Sequence, residues 1–186
     1  MSNLSFRTAD DADIPAIVDL VVHAYRGETS RQGWTSEADL LDGDRIDAEG
    51  VARELHAADS EILLAERDGE LMACAHVTRR APGLGYFGLF AVRPTGQGNG
   101  IGRHVLATAE AFVAETWDVH TLEMTVLGPR PELVAYYGRR GFLPTGEIRQ
   151  LPAEIRRRPE TADLPLRFDV LAKAVSPRVA ESSPAA

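Results

Sequence analysis

Val92-Arg93-Pro94-Thr95-Gly96-Gln97-Gly98-Asn99-Gly100-Ile101-Gly102-Arg103 decides how this chain is read. Glycines fall at alternate positions, 96, 98, 100 and 102. Before them, Gly85-Tyr86-Phe87-Gly88-Leu89-Phe90-Ala91-Val92 has the composition of a strand, with Gly88 marking a bulge or a close backbone approach. After them, Ile101, Val105, Ala109, Phe112 and Val113 recur at helical spacing, and Trp117 closes the run. A glycine-rich turn that opens a helix offers unpaired N–H groups and a partial positive charge, and glycines let a phosphate come close. A nucleotide P-loop would need a Lys-Ser/Thr pair, which is absent. The dinucleotide pattern Gly-x-Gly-x-x-Gly fails from Gly96, Gly98 and Gly100, whose sixth positions are Ile101, Arg103 and Val105. What remains is Gln97-x-x-Gly100-x-Gly102, preceded by Val92-x-Pro94.

Outward from this loop, alternation predicts a strand at 4–7, and the acids Asp10, Asp11 and Asp13 open a helix carrying Ile14, Ile17, Val18, Val21 and Val22 to about Gly27. Residues 28–60 have the composition of a mobile cover, with a short helix at 38–41 and a second at 47–58. Strands at 61–66 and 71–78 flank Asp68-Gly69, a hairpin signal. A strand at 121–127, a helix at 131–137 with Gly141 as its cap, and a strand at 164–172 follow. The order β-α-α-β-β-β-loop-α-β-α-β predicts one mixed α/β domain over 1–175, with 176–186 as a disordered tail.

Twenty basic and twenty-eight acidic residues leave a charge of −8, which argues against general nucleic-acid binding. No apolar run reaches membrane-spanning length, and the N-terminus lacks a signal-peptide pattern, so the cytoplasm is the default compartment. One cysteine excludes an internal disulfide, and the five histidines lack metal-ligand spacing, so no metal is expected. Cys74 and His76 share a strand face, but no orienting residue follows, so core packing is the better reading. Arg156-Arg157-Arg158 reads as a solvated loop rather than a docking site for an anion.

Val92-Arg93-Pro94, Gln97-Gly98-Asn99-Gly100-Ile101-Gly102-Arg103 and Tyr137-Gly138-Arg139-Arg140-Gly141-Phe142 together resemble the GCN5-related N-acetyltransferase (GNAT) superfamily. The first two resemble its acetyl-CoA motif and the third its Tyr-x-x-x-Gly-Phe helix end. The likeness covers roughly residues 4–175. It implies a central, mostly antiparallel mixed sheet flanked by helices and splayed at the acetyl-CoA site. It implies main-chain contacts to pantetheine from Phe90, Ala91 and Val92, and a pyrophosphate cradle from Gln97, Gly98, Asn99, Gly100, Ile101, Gly102 and Arg103. N–H groups near Phe90–Val92 would steady the oxyanion, and Tyr137 would protonate the departing thiolate. Seven residues before the tyrosine many members have an asparagine that contacts CoA; here it is Arg130. Twelve before it some have a glutamate base; here it is Thr125, and Glu123 on the same strand face is the first candidate instead. Glu28, Glu37, His76 and a water chain are the others.

The resemblance puts the acceptor site in the 25–45 stretch. There Trp34 is the candidate apolar wall, and Glu28 and Glu37, with Asp39 nearby, would attract an ammonium. The expected reaction is acetyl transfer from acetyl-CoA to a primary amine of a small molecule. A protein N-terminus or lysine is the alternative acceptor, and a catalytically weak acyl-CoA-binding module the alternative activity. A homodimer is a possible assembly.

Overall fold

The fold is that of a computed structural model, which describes residues 4–25, 37, 39–43, 45–128, 130–152, 155–161 and 163–177. Among these, seven strands form one sheet: β1 (Ser5–Thr8), β3 (Ser60–Arg67), β4 (Glu70–Ala81), β5 (Leu84–Val92), β6 (Thr121–Gly128), β7 (Leu143–Arg149) and β9 (Arg167–Ala174). Their order is β1-β3-β4-β5-β6-β9-β7. Every pairing is antiparallel except β5 with β6. Two short strands, β2 (Leu41–Asp42) and β8 (Arg156–Arg157), pair separately. The helices are α1 (Ile14–Tyr25), α2 (Ala48–His56), α3 (Ile101–Trp117) and α4 (Pro131–Gly138). The mixed, mostly antiparallel sheet flanked by helices agrees with the sequence reading.

The long apolar runs of β3 and β4 are buried on both faces, as two-sided covering demands. Ile62, Leu64 and Cys74 join α1 and α2 through Ile17, Leu20, Val21 and Val51. Leu63, Ala65, Ala73, Ala75 and Val77 face Ile101, Val105, Ala109 and Val113 of α3, with Leu133 of α4 and Phe142 in the same cluster. Asp10 and Asp13 form a reciprocal capping box at the turn before α1, and the Asp47 carboxylate caps α2 at Gly50 N.

Three expectations are corrected. Residues 28–60 are not all cover, because Val51 is fully buried against α1. The helix expected at 38–41 gives way to a turn at 39–40 and to β2, because Leu41 pairs across to Arg157 and packs on Leu127 and Leu166. The last strand starts at Arg167 rather than 164, and β7 lies outside the expected order altogether. The tail beyond 177 is outside the described residues, as are Glu28 and Trp34.

One irregularity positions the site. The β5–β6 ladder runs only from Leu84↔Thr121 to Phe87↔Met124, although both strands continue. There β5 bulges: Cys74 pairs with Ala91 and His76 with Gly88, so Leu89 and Phe90 oppose the single residue Ala75. Leu89 has φ +42, a conformation that costs a branched side chain about 1–2 kcal/mol. Beyond this point the two strands are unpaired with each other, and the gap opens into a cavity.

Candidate active site

The cavity has a volume of about 400 Å³ and runs from the glycine loop to Glu37. At the loop end, Gly98 and Gly100 have φ +82 and +79, so both need glycine. A Cβ on Gly98 would meet nothing within 4 Å, and one on Gly100 only the Arg103 and His104 side chains, at 4.0 Å. Gly100 is the residue before α3 and makes no side-chain cap, so no capping side chain covers the first N–H groups of that helix. Arg103, Arg139 and Arg140 stand on the wall. Left-handed glycines, an uncapped helix start and three guanidiniums fit a diphosphate. The Gln97 side chain, by contrast, turns inward and donates from Nε2 to the Val92 carbonyl at 3.1 Å. It braces the loop against the end of β5.

Two adjacent tyrosines on α4 both reach the cavity. The rings of Tyr136 and Tyr137 meet edge to face at 5.1 Å. Tyr136 leans toward the loop: a Cβ on Gly102 would lie 2.8 Å from its hydroxyl. Arg140 stacks 3.4 Å above the Tyr136 ring and donates to the Tyr136 carbonyl at 2.7 Å. Tyr137 is enclosed deeper, with its ring against Phe142. Burial, and then the neighbouring Tyr25 and Tyr136, hold its phenol well above the usual value, against the pull of Arg140 and Arg130. Tyr137 is therefore a protonated hydroxyl at any working pH.

At the far end, Tyr25 closes α1 and donates its hydroxyl to the Phe90 carbonyl at the bulge. Burial raises its phenol too. Glu37 is 7% exposed, and its N–H donates to the Tyr25 carbonyl at 3.0 Å. Arg45 Nε stands 3.5 Å from Glu37 Oε2, and its guanidinium lies 5.5 Å from the Tyr25 ring. Tyr86 bonds Thr125 Oγ1 at 2.8 Å. Its ring lies across Gly88, where a Cβ would meet it at 2.7 Å.

The structure thus brings Phe90, Val92, Gln97, Gly98, Gly100, Ile101, Gly102, Arg103, Tyr137 and Glu37 to one cavity. Four candidates stand off its wall. Ala91 points into the α1 side of the sheet. Asn99 does not line the cavity. Arg130 is buried, with Nε on Glu132 at 2.8 Å. Glu123 accepts from Arg149 at 3.2 Å on an interior strand, not an edge, and stays outside the cavity. His76 is likewise committed elsewhere, to Ser60 at 2.7 Å. Tyr25 and Arg45 are the two ends of the stretch expected to hold the acceptor, though neither was given a role there; Tyr86, Tyr136, Arg139 and Arg140 were not placed at the site. The doubled tyrosine and doubled arginine at 136–140 were a usable signal.

A sequence profile of the acetyltransferase (GNAT) family matches residues 16–142. The chain belongs to that family. It is an acetyl-CoA-dependent N-acetyltransferase, an acyltransferase by class. The fold is shared with the ribosomal-protein-S18-alanine N-acetyltransferase of Escherichia coli, at TM-score 0.67 and 15% identity over 97% of this chain and 99% of that one. It is shared with a GNAT acetyltransferase of Elizabethkingia anophelis solved with acetyl-CoA bound, at 0.64 and 16% over 94% and 100%. A third likeness is a mutant form of the spermidine/spermine N-acetyltransferase of Vibrio cholerae, at 0.64 and 14% over 92% and 93%. Curated protein sequences give no match. Among the described residues no helix is long and apolar enough to cross a membrane, and no three His, Cys, Asp or Glu side chains group as a metal site.

Proposed function

We propose that this acetyltransferase acetylates a primary amine of a small molecule, with Tyr137 as general acid and Glu37 as the carboxylate that receives the amine. The observation that carries this is one cavity joining the glycine loop, Tyr137 and Glu37. Its volume of about 400 Å³ must also admit the pantetheine arm, which leaves room for a small acceptor. Amines are also the acceptors named for the E. coli and V. cholerae likenesses, an alanine of a ribosomal protein and spermidine or spermine.

Acetyl-CoA supplies a thioester carbonyl and a thiolate leaving group. The main chain of Gly98–Gly102, with Arg103, Arg139 and Arg140, holds its phosphates. The opened edge of β5 past Phe87 holds the pantetheine arm as an added strand would. Glu37 is the single acidic side chain on the cavity wall among the described residues. It binds the ammonium and takes its proton, which frees the nitrogen lone pair. The C–N bond forms, the C–S bond breaks, the Tyr137 hydroxyl gives its proton to sulfur, and the second proton of the attacking nitrogen passes to the tyrosinate, so that a neutral amide and a thiol leave. A phenol held above its ordinary pKa is a weak acid in water. Burial strengthens a thiolate as a base in the same way, as Cys74 illustrates in the core, its thiol pushed up to about 12. Donor and acceptor rise together, so the transfer stays matched.

The test is thiol release from acetyl-CoA with a panel of amines, with the acetylated product identified by mass. Release that depends on the amine is expected. Acetyl-CoA that binds but is never consumed faster with any amine would leave a silent acyl-CoA-binding module on the same fold.

A further inference from the structure

We infer that the acceptor is a zwitterion: an α-amino acid with an apolar or aromatic side chain, its ammonium at Glu37 and its carboxylate at Arg45. The inference rests on the acetyl-transfer reading and names the substrate class of that same site. Four arginines and one glutamate are the charged side chains on the wall among the described residues. Arg139 and Arg140 follow the cofactor-end tyrosines on α4, and Arg103 sits in the first turn of α3. These three answer the phosphates. Arg45 comes from a different segment, just past β2, beside Tyr25 and Glu37. It is a positive charge that the phosphates do not use.

Its surroundings do not use it fully either. Arg45 Nε has no hydrogen-bond acceptor, because Glu37 Oε2 at 3.5 Å is poorly aimed. A guanidinium presents five donors in a fixed fork that suits a carboxylate. A wall of one carboxylate and one guanidinium is a poor receptacle for a bare cation, which would meet Arg45 as well as Glu37. An amine carrying its own carboxylate meets both. The Arg45 guanidinium then gains an aligned acceptor. Tyr25, Tyr86, Leu127 and Phe168, also on the wall, offer an apolar surface to a side chain.

The experiment measures kcat/KM for three probes of one skeleton, L-phenylalanine, L-phenylalaninamide and 2-phenylethylamine, with parallel series from L-methionine and L-leucine. The free acid should exceed the amide and the amine by about 10- to 100-fold, as a charge-assisted hydrogen-bonded pair allows. Arg45→Met should bring the three within about twofold, and Arg45→Lys should keep part of the preference. Amide or amine equal to or better than the acid in every series overturns the inference, as does an undiminished preference in Arg45→Met. Acetyl-CoA affinity of Arg45→Met is measured by calorimetry; if it falls as far as amino-acid kcat/KM, Arg45 serves the cofactor and the assignment is wrong. If no probe releases thiol, calorimetry of the same probes on the CoA complex decides. Amino-acid binding that Arg45→Met abolishes then keeps the zwitterion site and removes the transfer reading; absence of binding removes the inference.

Discussion

At one end of the cavity most of the lining residues belong to one segment, 96–103, joined by Tyr136, Arg139 and Arg140 from the end of α4. At the other end they are side chains gathered from α1, from positions 37 and 45, and from β5, β6 and β9. The loop at the first end needs only that the backbone take left-handed turns at Gly98 and Gly100 and then start a helix. The second needs five stretches of chain to converge. A backbone site tolerates any side chain that does not fill it, whereas a side-chain site is redefined by each residue in it. The cofactor end is thus fixed by local geometry and the acceptor end by tertiary packing.

The sharpest break of this contrast is Gly100→Val with Gly102→Val. One puts a branched residue at φ +79; the other sets a Cβ 2.8 Å from the Tyr136 hydroxyl and 3.2 Å from Phe90. Loss of two charge-assisted main-chain bonds, about 1.5–3 kcal/mol each, predicts acetyl-CoA affinity down by about 10²- to 10⁴-fold. Calorimetry reads the loss, and circular dichroism confirms the fold. Unchanged affinity would remove the loop from the cofactor site. Tyr137→Phe comes next, at the junction of the two ends. It should lower kcat by about 10²-fold with little change in the acetyl-CoA KM. A kcat near that of the parent would show that the thiolate leaves unaided. Glu37→Gln should raise the acceptor KM by about 10-fold and lower kcat with it, since the same carboxylate receives the amine and takes its proton, and leave the acetyl-CoA KM alone. The reverse pattern would invert the map of the cavity.

The smallest effect lies away from both ends. His76 is buried on β4 and bonded to Ser60, whose hydroxyl donates to the Glu54 carbonyl at 2.5 Å. Burial lowers its pKa, Glu54 opposes that and Arg80 adds to it. A histidine whose folded pKa is depressed is kept neutral by folding, so the unfolded chain binds the extra proton. Stability is then complete above the unfolded value of about 6.5 and falls as pH drops below it, by at most ~1.4 kcal/mol per pH unit. Chemical denaturation at pH 7.5, 6.5 and 5.5 should show that slope, and His76→Gln should flatten it. Equal slopes in both proteins would assign the acid sensitivity to other groups.

The sequence was most legible where structure is local. The Asp68-Gly69 hairpin, the glycine loop and the Tyr137-to-Phe142 helix end all lie where their residues indicated. The splay, too, was expected from the resemblance. Legibility failed where a distant partner decides. Leu143-Pro144-Thr145-Gly146-Glu147-Ile148-Arg149 contains a proline and a glycine and shows no buried face; it is a strand only because β9 pairs with it, around a register break between Pro144 and Ile148. Leu40-Leu41 read as helix because Arg157, its strand partner, lies 116 positions further on from Leu41. The 28–60 segment read as loose because Leu41 gives no local sign of what it covers. Burial of that one side chain, worth about 1.5–3 kcal/mol, outweighs the Arg158–Asp42 surface pair beside it. Glu123 lies off the cavity wall for a related reason: strand alternation gives its face, but not the Arg149 that pairs with it.

The sheet order also dictates a schedule for synthesis. β9 is the last described strand in the chain, yet it is interior, between β6 and β7. While the ribosome is still holding residues 167–174, β6 has one open edge along its whole length and β7 has no partner at all. The N-terminal strands β1, β3, β4 and β5 pair among themselves and can assemble as they emerge. The C-terminal half cannot, because Leu133 and Tyr137 of α4 pack in the cluster that Leu171 of β9 completes. The nascent chain therefore carries an exposed strand edge, the hazard that finished proteins cover, until β9 is released.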